Sequence, residues 1–324
     1  MKKIAIITCT GLLFSGMAAT ALAFTDVDNT NENSVAINYL ADSGIVKGYD
    51  DGTFRPQQLV NRAEALKIIL EGKKVATQDA ASSSDFSDVK PEDWFAKYVM
   101  AAKERGIVSG NPDGTFAPGR NVSRAEFVKM ILNTNSFQPQ KWEGAQLFPD
   151  VQKDAWFAPY MNYAGQAGLV EKDNDGNLKP GEELTRGQVA EIMYIMNVIL
   201  NGSNTQFLIT QAEKQMAQID IYVGNNNPLA AKRSSELGVD MTQQAYKNMP
   251  QDAVVLGAAK LARAYDFLMN AYISGVQKKT EDAKSWADQA IAKATEAWEA
   301  NNEVQSIARH IKDRANEIIA QLQG

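Results

Sequence analysis

The stretch VSRAEFVKMIL at 122–132 decides how this chain is read. It recurs as VNRAEALKIIL at 60–70 and as LTRGQVAEIMY at 184–194, so that Arg62, Arg124 and Arg186 are spaced 62 residues apart. Asn61, Ser123 and Thr185 stand where a helix N-cap belongs. Glu64, Glu126 and Gln188 follow three residues later, as a capping box requires. Val60, Val122 and Leu184 precede the caps, and Val122 with Phe127 fits a hydrophobic staple. All of these choices serve helix initiation. The arginines do not. Each falls on the first helical position, where the macrodipole disfavours a cation by some tenths of a kcal/mol. Two readings stay open. Asp26, Asp88 and Asp150 can pair with the three arginines. Alternatively, guanidinium and free helix N–H groups together await an anion.

The repeat extends beyond that helix. FTDV begins at 24, FSDV at 86 and FPDV at 148, while SGIVKG ends at Gly48 and RGIVSG at Gly110. DDGTFRP (50–56), PDGTFAP (112–118) and NDGNLKP (174–180) complete the unit, all at the same period. A second, earlier helix is expected in each copy, following turns such as PEDW and KDAW and ending near a glycine such as Gly106. Two short helices cannot bury a core alone, so the copies 24–70, 86–132 and 148–200 should pack on one another.

From 203 to 324 the pattern changes to alanine-, glutamine- and lysine-rich segments. Helices are expected at 207–223, 253–276, 281–302 and 304–322, forming a four-helix bundle or a pair of helical hairpins. The segment 228–249 is ambiguous and can extend a helix. In the last helix Ile307, Ile311, Ala315, Ile318 and Leu322 fall on one stripe. The fold class is all-α.

Residues 1–23 read as a secretory signal peptide: Lys2 and Lys3, an apolar run, then Ala21-Leu22-Ala23. Cys9, the single cysteine, leaves with it, and Thr8 before it argues against a lipoprotein site. The remainder makes no disulfide and has no thiol nucleophile. Without Lys2 and Lys3 the count is 31 basic against 39 acidic residues, a net charge near −8. That balance and the lack of a basic stripe exclude nucleic acid as a partner. No later segment is a membrane span. Attachment to a surface is therefore expected to be non-covalent.

F-[TSP]-D-V, the Trp-Phe turn, G-[IL]-V-x-G, D-G-T-F-x-P and the T-R-A-E-like helix start, three times in register, resemble the S-layer homology domain. The resemblance covers 24 to about 200. It implies a pseudo-threefold assembly of short helices that holds an exported protein at the cell surface by binding a secondary cell-wall polysaccharide, typically pyruvylated. It also implies that Arg62, Arg124 and Arg186 lie in grooves between repeats and contact the acidic sugar. Trp94 and Trp156 are expected as groove walls, with Gly48 and Gly110 allowing close backbone approach; core packing is the alternative for each Trp. The first copy has Glu32 in place of Trp. The third has Gly187-Gln188 in place of Ala-Glu, and Lys172 in place of glycine. Trp94, Gly110, Ser123 and Arg124 form the best-preserved set, and Lys129 is expected to be a neutral position. The helical module is expected to be an outward spacer, or a self-assembly or protein-partner element. The rival readings are a peptidoglycan-binding protein of a cell with an outer membrane, and a wall-acting enzyme with the bundle as catalyst.

EKDNDGNLKPGE (171–182) resembles a calcium loop, but Pro180 interrupts it, and a repeat turn with extra acids is the reading adopted. His310, the only histidine, is assigned to solvated surface. No metal, cofactor or catalytic triad is expected, and the chain is read as a non-enzyme.

Overall fold

The computed structural model describes residues 24–77, 84–141 and 143–323; the signal peptide assigned to 1–23 lies outside the described residues. Among them are eleven α-helices and no strand. They fall into two compact units, one of residues 24–28 and 36–197, the other of residues 29–35 and 198–323.

In the repeat unit each copy supplies two helices: α1 (Ser34–Asp42) and α2 (Arg62–Gly72), α3 (Ala96–Glu104) and α4 (Arg124–Thr134), α5 (Ala158–Gln166) and α6 (Arg186–Leu200). The residues before the caps meet at the centre. Val60 N–H donates to the Leu184 carbonyl (3.0 Å), Leu184 N–H to Val122 (3.1 Å) and Val122 N–H to Val60 (2.9 Å). All three side chains are fully buried. This closed triangle, flanked by isolated antiparallel bridges such as Asn61–Asn121, is the pseudo-threefold axis. It satisfies backbone groups that the dry centre would otherwise strand.

The F-x-D-V aspartates build the neighbouring turn and do not pair with the arginines. Asp88 accepts from the N–H groups of Phe116 and Ala117, both at 2.7 Å. Asp26 does the same for Phe54 and Arg55, and Asp150 for Leu178 and Lys179. The second residue of each pair, Arg55, Ala117 or Lys179, has φ of 59°, 58° or 51°. That left-handed conformation costs a residue with a Cβ about 1–2 kcal/mol, so the carboxylate pins an unfavourable turn. The aspartate-pairing reading fails because both carboxylate oxygens are taken by backbone donors.

The glycine substitution in the third copy has a compensation. A Cβ on Gly48 or Gly110 would collide with the Phe24 or Phe86 ring. In the third copy, where Lys172 stands, the Phe148 ring lies instead against Gly165, at the position held by Lys103 in the second copy. Gly48 and Gly110 thus make room for an F-x-D-V phenylalanine.

The other unit has five long helices: α7 (Thr205–Gly224), α8 (Pro228–Asn248), α9 (Ala253–Val276), α10 (Thr280–Ala300) and α11 (Gln305–Gln323). The ambiguous segment 228–249 is a helix of its own, so four helices become five. Its buried face carries Ala230, Ser234, Ser235, Gly238 and Thr242 among a few larger residues, so the helix is amphipathic but low in overall hydrophobicity. Helix α9 touches each of the others. Ala283, Ala287, Ala290, Ala294 and Ala297 of α10 are completely buried at heptad spacing, which lets α9 and α10 approach closely. On α11 the buried residues are Ala308, Ile311 and Ala315, while Ile307, Ile318 and Leu322 are half-buried, so the stripe is rotated from the expected one. The buried Tyr222 hydroxyl of α7 lies 3.1 Å from each of the Asn31 and Glu32 carbonyls.

Candidate functional site

The mouths of α2, α4 and α6 hold no free donors. Asn61 accepts from Glu64 N–H and Ser123 from Glu126 N–H, each with a reciprocal carboxylate. Thr185 and Gln188 make the same pair of bonds. The first two helical N–H groups donate to the preceding loop of another repeat: Arg62 and Ala63 to Arg120 and Pro118, Arg124 and Ala125 to Glu182 and Pro180, Arg186 and Gly187 to Gln58 and Pro56. The anion seat built on open helix N–H groups is therefore occupied by protein carbonyls.

The guanidinium groups continue the same cycle. Arg62 Nε donates to the Phe116 carbonyl (2.9 Å), Arg124 Nη1 to Leu178 (2.8 Å) and Arg186 Nε to Phe54 (2.8 Å). Each arginine thus grips the D-G-T-F turn, or D-G-N-L in the third copy, that another repeat's aspartate shapes. This explains a cation at the helix mouth: its charge is spent on the neighbouring repeat. The three differ in what else they touch. Arg62, 5% exposed, forms an ion pair with Glu126 at 2.8 Å. Arg124 pairs with Glu182 at 2.9 Å. Arg186 has no carboxylate within ion-pair distance among the described residues; its Nη2 reaches the Lys47 carbonyl (3.2 Å) and its guanidinium lies over the Tyr49 and Phe54 rings. Burial pushes all three arginines below their ordinary pKa, and the charges of Glu126 and Glu182 work against this at Arg62 and Arg124.

Trp94 and Trp156 are not core residues: they are 53% and 54% exposed. The Lys67 ammonium lies 5.7 Å from the Trp94 ring, and the Lys129 ammonium 5.3 Å from Trp156. Lys129 is thus part of a candidate site and unsuitable as a neutral control. A cavity of about 310 Å³ is lined by Arg62, Gly110, Asn111, Glu126, Lys129 and Trp156, among others. One groove therefore draws on all three repeats. By the 62-residue period the equivalent positions are Arg186, the loop at Gly48 and Tyr49, Lys67 and Trp94, and of these Arg186 lies over Tyr49 and Lys67 over Trp94. At the position equivalent to Lys67 and Lys129, the third copy has Glu191. Of the set Trp94, Gly110, Ser123 and Arg124, only Gly110 lines this cavity, where it meets Arg62 and Trp156. Sequence spacing signalled the lysines, which recur at 62 residues, but their one-turn offset from the arginine gave no sign that they face the next repeat's tryptophan.

The two declined signals have local explanations. Asp173 accepts from Asp175 and Asn177 N–H groups and from Lys179, as a turn residue does. His310 is not merely solvated: its Nε2 lies 2.9 Å from Asp220 of α7.

The family model described as the S-layer homology domain matches residues 23–66, 85–128 and 147–190. Cell surface glycoprotein 1 of Acetivibrio thermocellus is 34% identical over 166 residues, 48% of this chain and 7% of that protein. S-layer protein EA1 of Bacillus anthracis is 27% identical over 197 residues, 59% of this chain and 22% of that protein. An endoglucanase of Bacillus sp. (strain KSM-635) is 28% identical over 205 residues, 60% of this chain and 21% of the enzyme. The chain thus covers about a fifth or less of each of these relatives. The three matched segments, the triangle of backbone bonds and the arginine cycle coincide within residues 23–190, and this chain carries three tandem S-layer homology domains.

Proposed function

We propose that the repeats anchor this protein non-covalently to an anionic, pyruvylated secondary cell-wall polysaccharide. The chain is a secreted, cell-surface-associated protein, and it acts as a binder rather than an enzyme; the helical unit serves as spacer or assembly element. The observation that carries this reading is the pair of exposed tryptophans, each with a lysine over its ring, in grooves between repeats. An exposed indole face stacks on a sugar ring, and an ammonium beside it meets a carboxylate fixed on that ring. Open helix N–H groups are not part of this site; the side chains and the loop backbone are.

The test is co-sedimentation of the full chain with purified cell-wall sacculi, either intact or stripped of pyruvate by mild acid. Intact sacculi should pellet the protein, stripped sacculi should pellet at least tenfold less, and the Trp94→Ala/Trp156→Ala double variant should stay in solution with an unchanged circular dichroism spectrum. Equal pelleting with stripped sacculi would move the ligand to peptidoglycan itself. Unimpaired pelleting of the double variant would remove the grooves from the reading.

A further inference from the structure

The grooves share a plan, but their guanidinium groups do not share a state. An ionised carboxylate already bonded to an arginine competes with any carboxylate arriving from outside. Glu126 holds Arg62 at 2.8 Å and also accepts from Arg120. Glu182 holds Arg124 at 2.9 Å and is itself fixed by a bond from Gln188 Nε2 (2.8 Å). Breaking either pair would leave a largely buried charge without its partner, which is strongly unfavourable. Arg186 is different. Its protein partners are two carbonyls, and among the described residues no carboxylate forms an ion pair with it. Glu64, the residue corresponding to Glu126, accepts from the Asn61 N–H (2.9 Å) as Glu126 does from Ser123, but it acts on Arg186 only through its charge and forms no ion pair with it.

Resting on the glycan-anchoring reading above, we infer that the ligand's carboxylate is read in one groove only, that of Arg186, Tyr49, Lys67 and Trp94. In the Arg62 groove the guanidinium is neutralised and 5% exposed, so Trp156 and Lys129 add stacking and a weak ammonium contact but no forked recognition of the acid. Beyond Arg124, Glu191 stands at the position that holds lysine in the first two copies, and its carboxylate adds a repelling charge for an acid. Because the reading arginine comes from the third repeat, the lysine from the first and the tryptophan from the second, the principal site exists only when the ring of three repeats is closed.

Titration calorimetry with a 4,6-pyruvate ketal of a methyl hexosaminide, and with its methyl ester as the uncharged control, tests this on the full chain. Lys67 and Lys129 are both half-buried at helix surfaces and occupy the same position in their repeats, so Lys67→Gln and Lys129→Gln are matched for folding. The expected result is one ketal per chain, at least a tenfold loss for K67Q and for Arg186→Gln, and a loss of about threefold or less for K129Q. The ester should bind wild type as weakly as the ketal binds R186Q. Two ketals per chain, or equal losses in K67Q and K129Q, would overturn the single-groove inference while leaving wall anchoring intact. Failure of wild type to bind the ketal at all would overturn both.

Discussion

Replacing Asp88 with asparagine removes the charge from a carboxylate whose two oxygens each accept a backbone N–H at 2.7 Å, from Phe116 and from Ala117. Hydrogen bonds to a charged group contribute about 1.5–3 kcal/mol each. Asparagine keeps one acceptor but turns an amide N–H toward the other donor, so one such bond is lost and the second loses its charge, together about 2–3 kcal/mol. The Ala117 backbone, held at φ 58°, is then free to leave the left-handed region. The Phe116 carbonyl that receives Arg62 moves with it. For a unit of this size each kcal/mol shifts the midpoint by roughly 2–4 °C, so D88N should lower the repeat unit's transition by roughly 5–10 °C in scanning calorimetry. The control is a double-mutant cycle with Arg124→Gln. The two effects should add, because Asp88 and Arg124 share no bond. A shift below about 2 °C, or loss of the D88N effect in the Arg124→Gln background, would refute the turn-pinning role.

Ala117→Gly should act in the opposite direction. Glycine adopts positive φ freely, and after its greater unfolded-state entropy is set against that gain, about 0.5–1 kcal/mol remains, or roughly 1–4 °C upward in the same transition. In the helical unit, the Asp220 carboxylate bonded to Nε2 raises the His310 pKa, against the effects of burial and of Arg314. A raised folded pKa means that the pair's stabilisation is fully present below the ordinary histidine value, about 6.5, and is lost as pH rises through the folded value. The helical unit's transition should therefore fall between pH 6 and 9 in wild type. It should stay flat in His310→Gln, and a parallel decline in both would remove the histidine as the cause.

The caps show how far local chemistry reaches. Asn61 with Glu64, Ser123 with Glu126 and Thr185 with Gln188 act within three residues of each other, so their types and spacing disclose the helix starts directly. The 62-residue period disclosed the repeats for the same reason: each unit must fold by similar local rules. Helix α8 escaped because burial of Ser234, Ser235, Gly238 and Thr242 depends on how closely a neighbour approaches, and such small and polar residues keep the overall hydrophobicity of the segment low. Asp88 illustrates the opposite limit. Its charge suggested a cation as partner, yet the nearest unsatisfied donors after folding were backbone amides of a turn 28 and 29 residues away.

By itself the sequence determined an all-α chain, three S-layer homology units in register, and the residue types at each helix entrance, because caps, turns and period are set within a few residues along the chain. Tertiary structure alone decided which residues share a groove. Closing three repeats on an axis brings together an arginine, a loop and lysine, and a tryptophan from three different copies, and it gives two of the three arginines an ion-paired carboxylate while Arg186 has none among the described residues. Those pairings depend on contacts between repeats, and nothing local to any one copy specifies them.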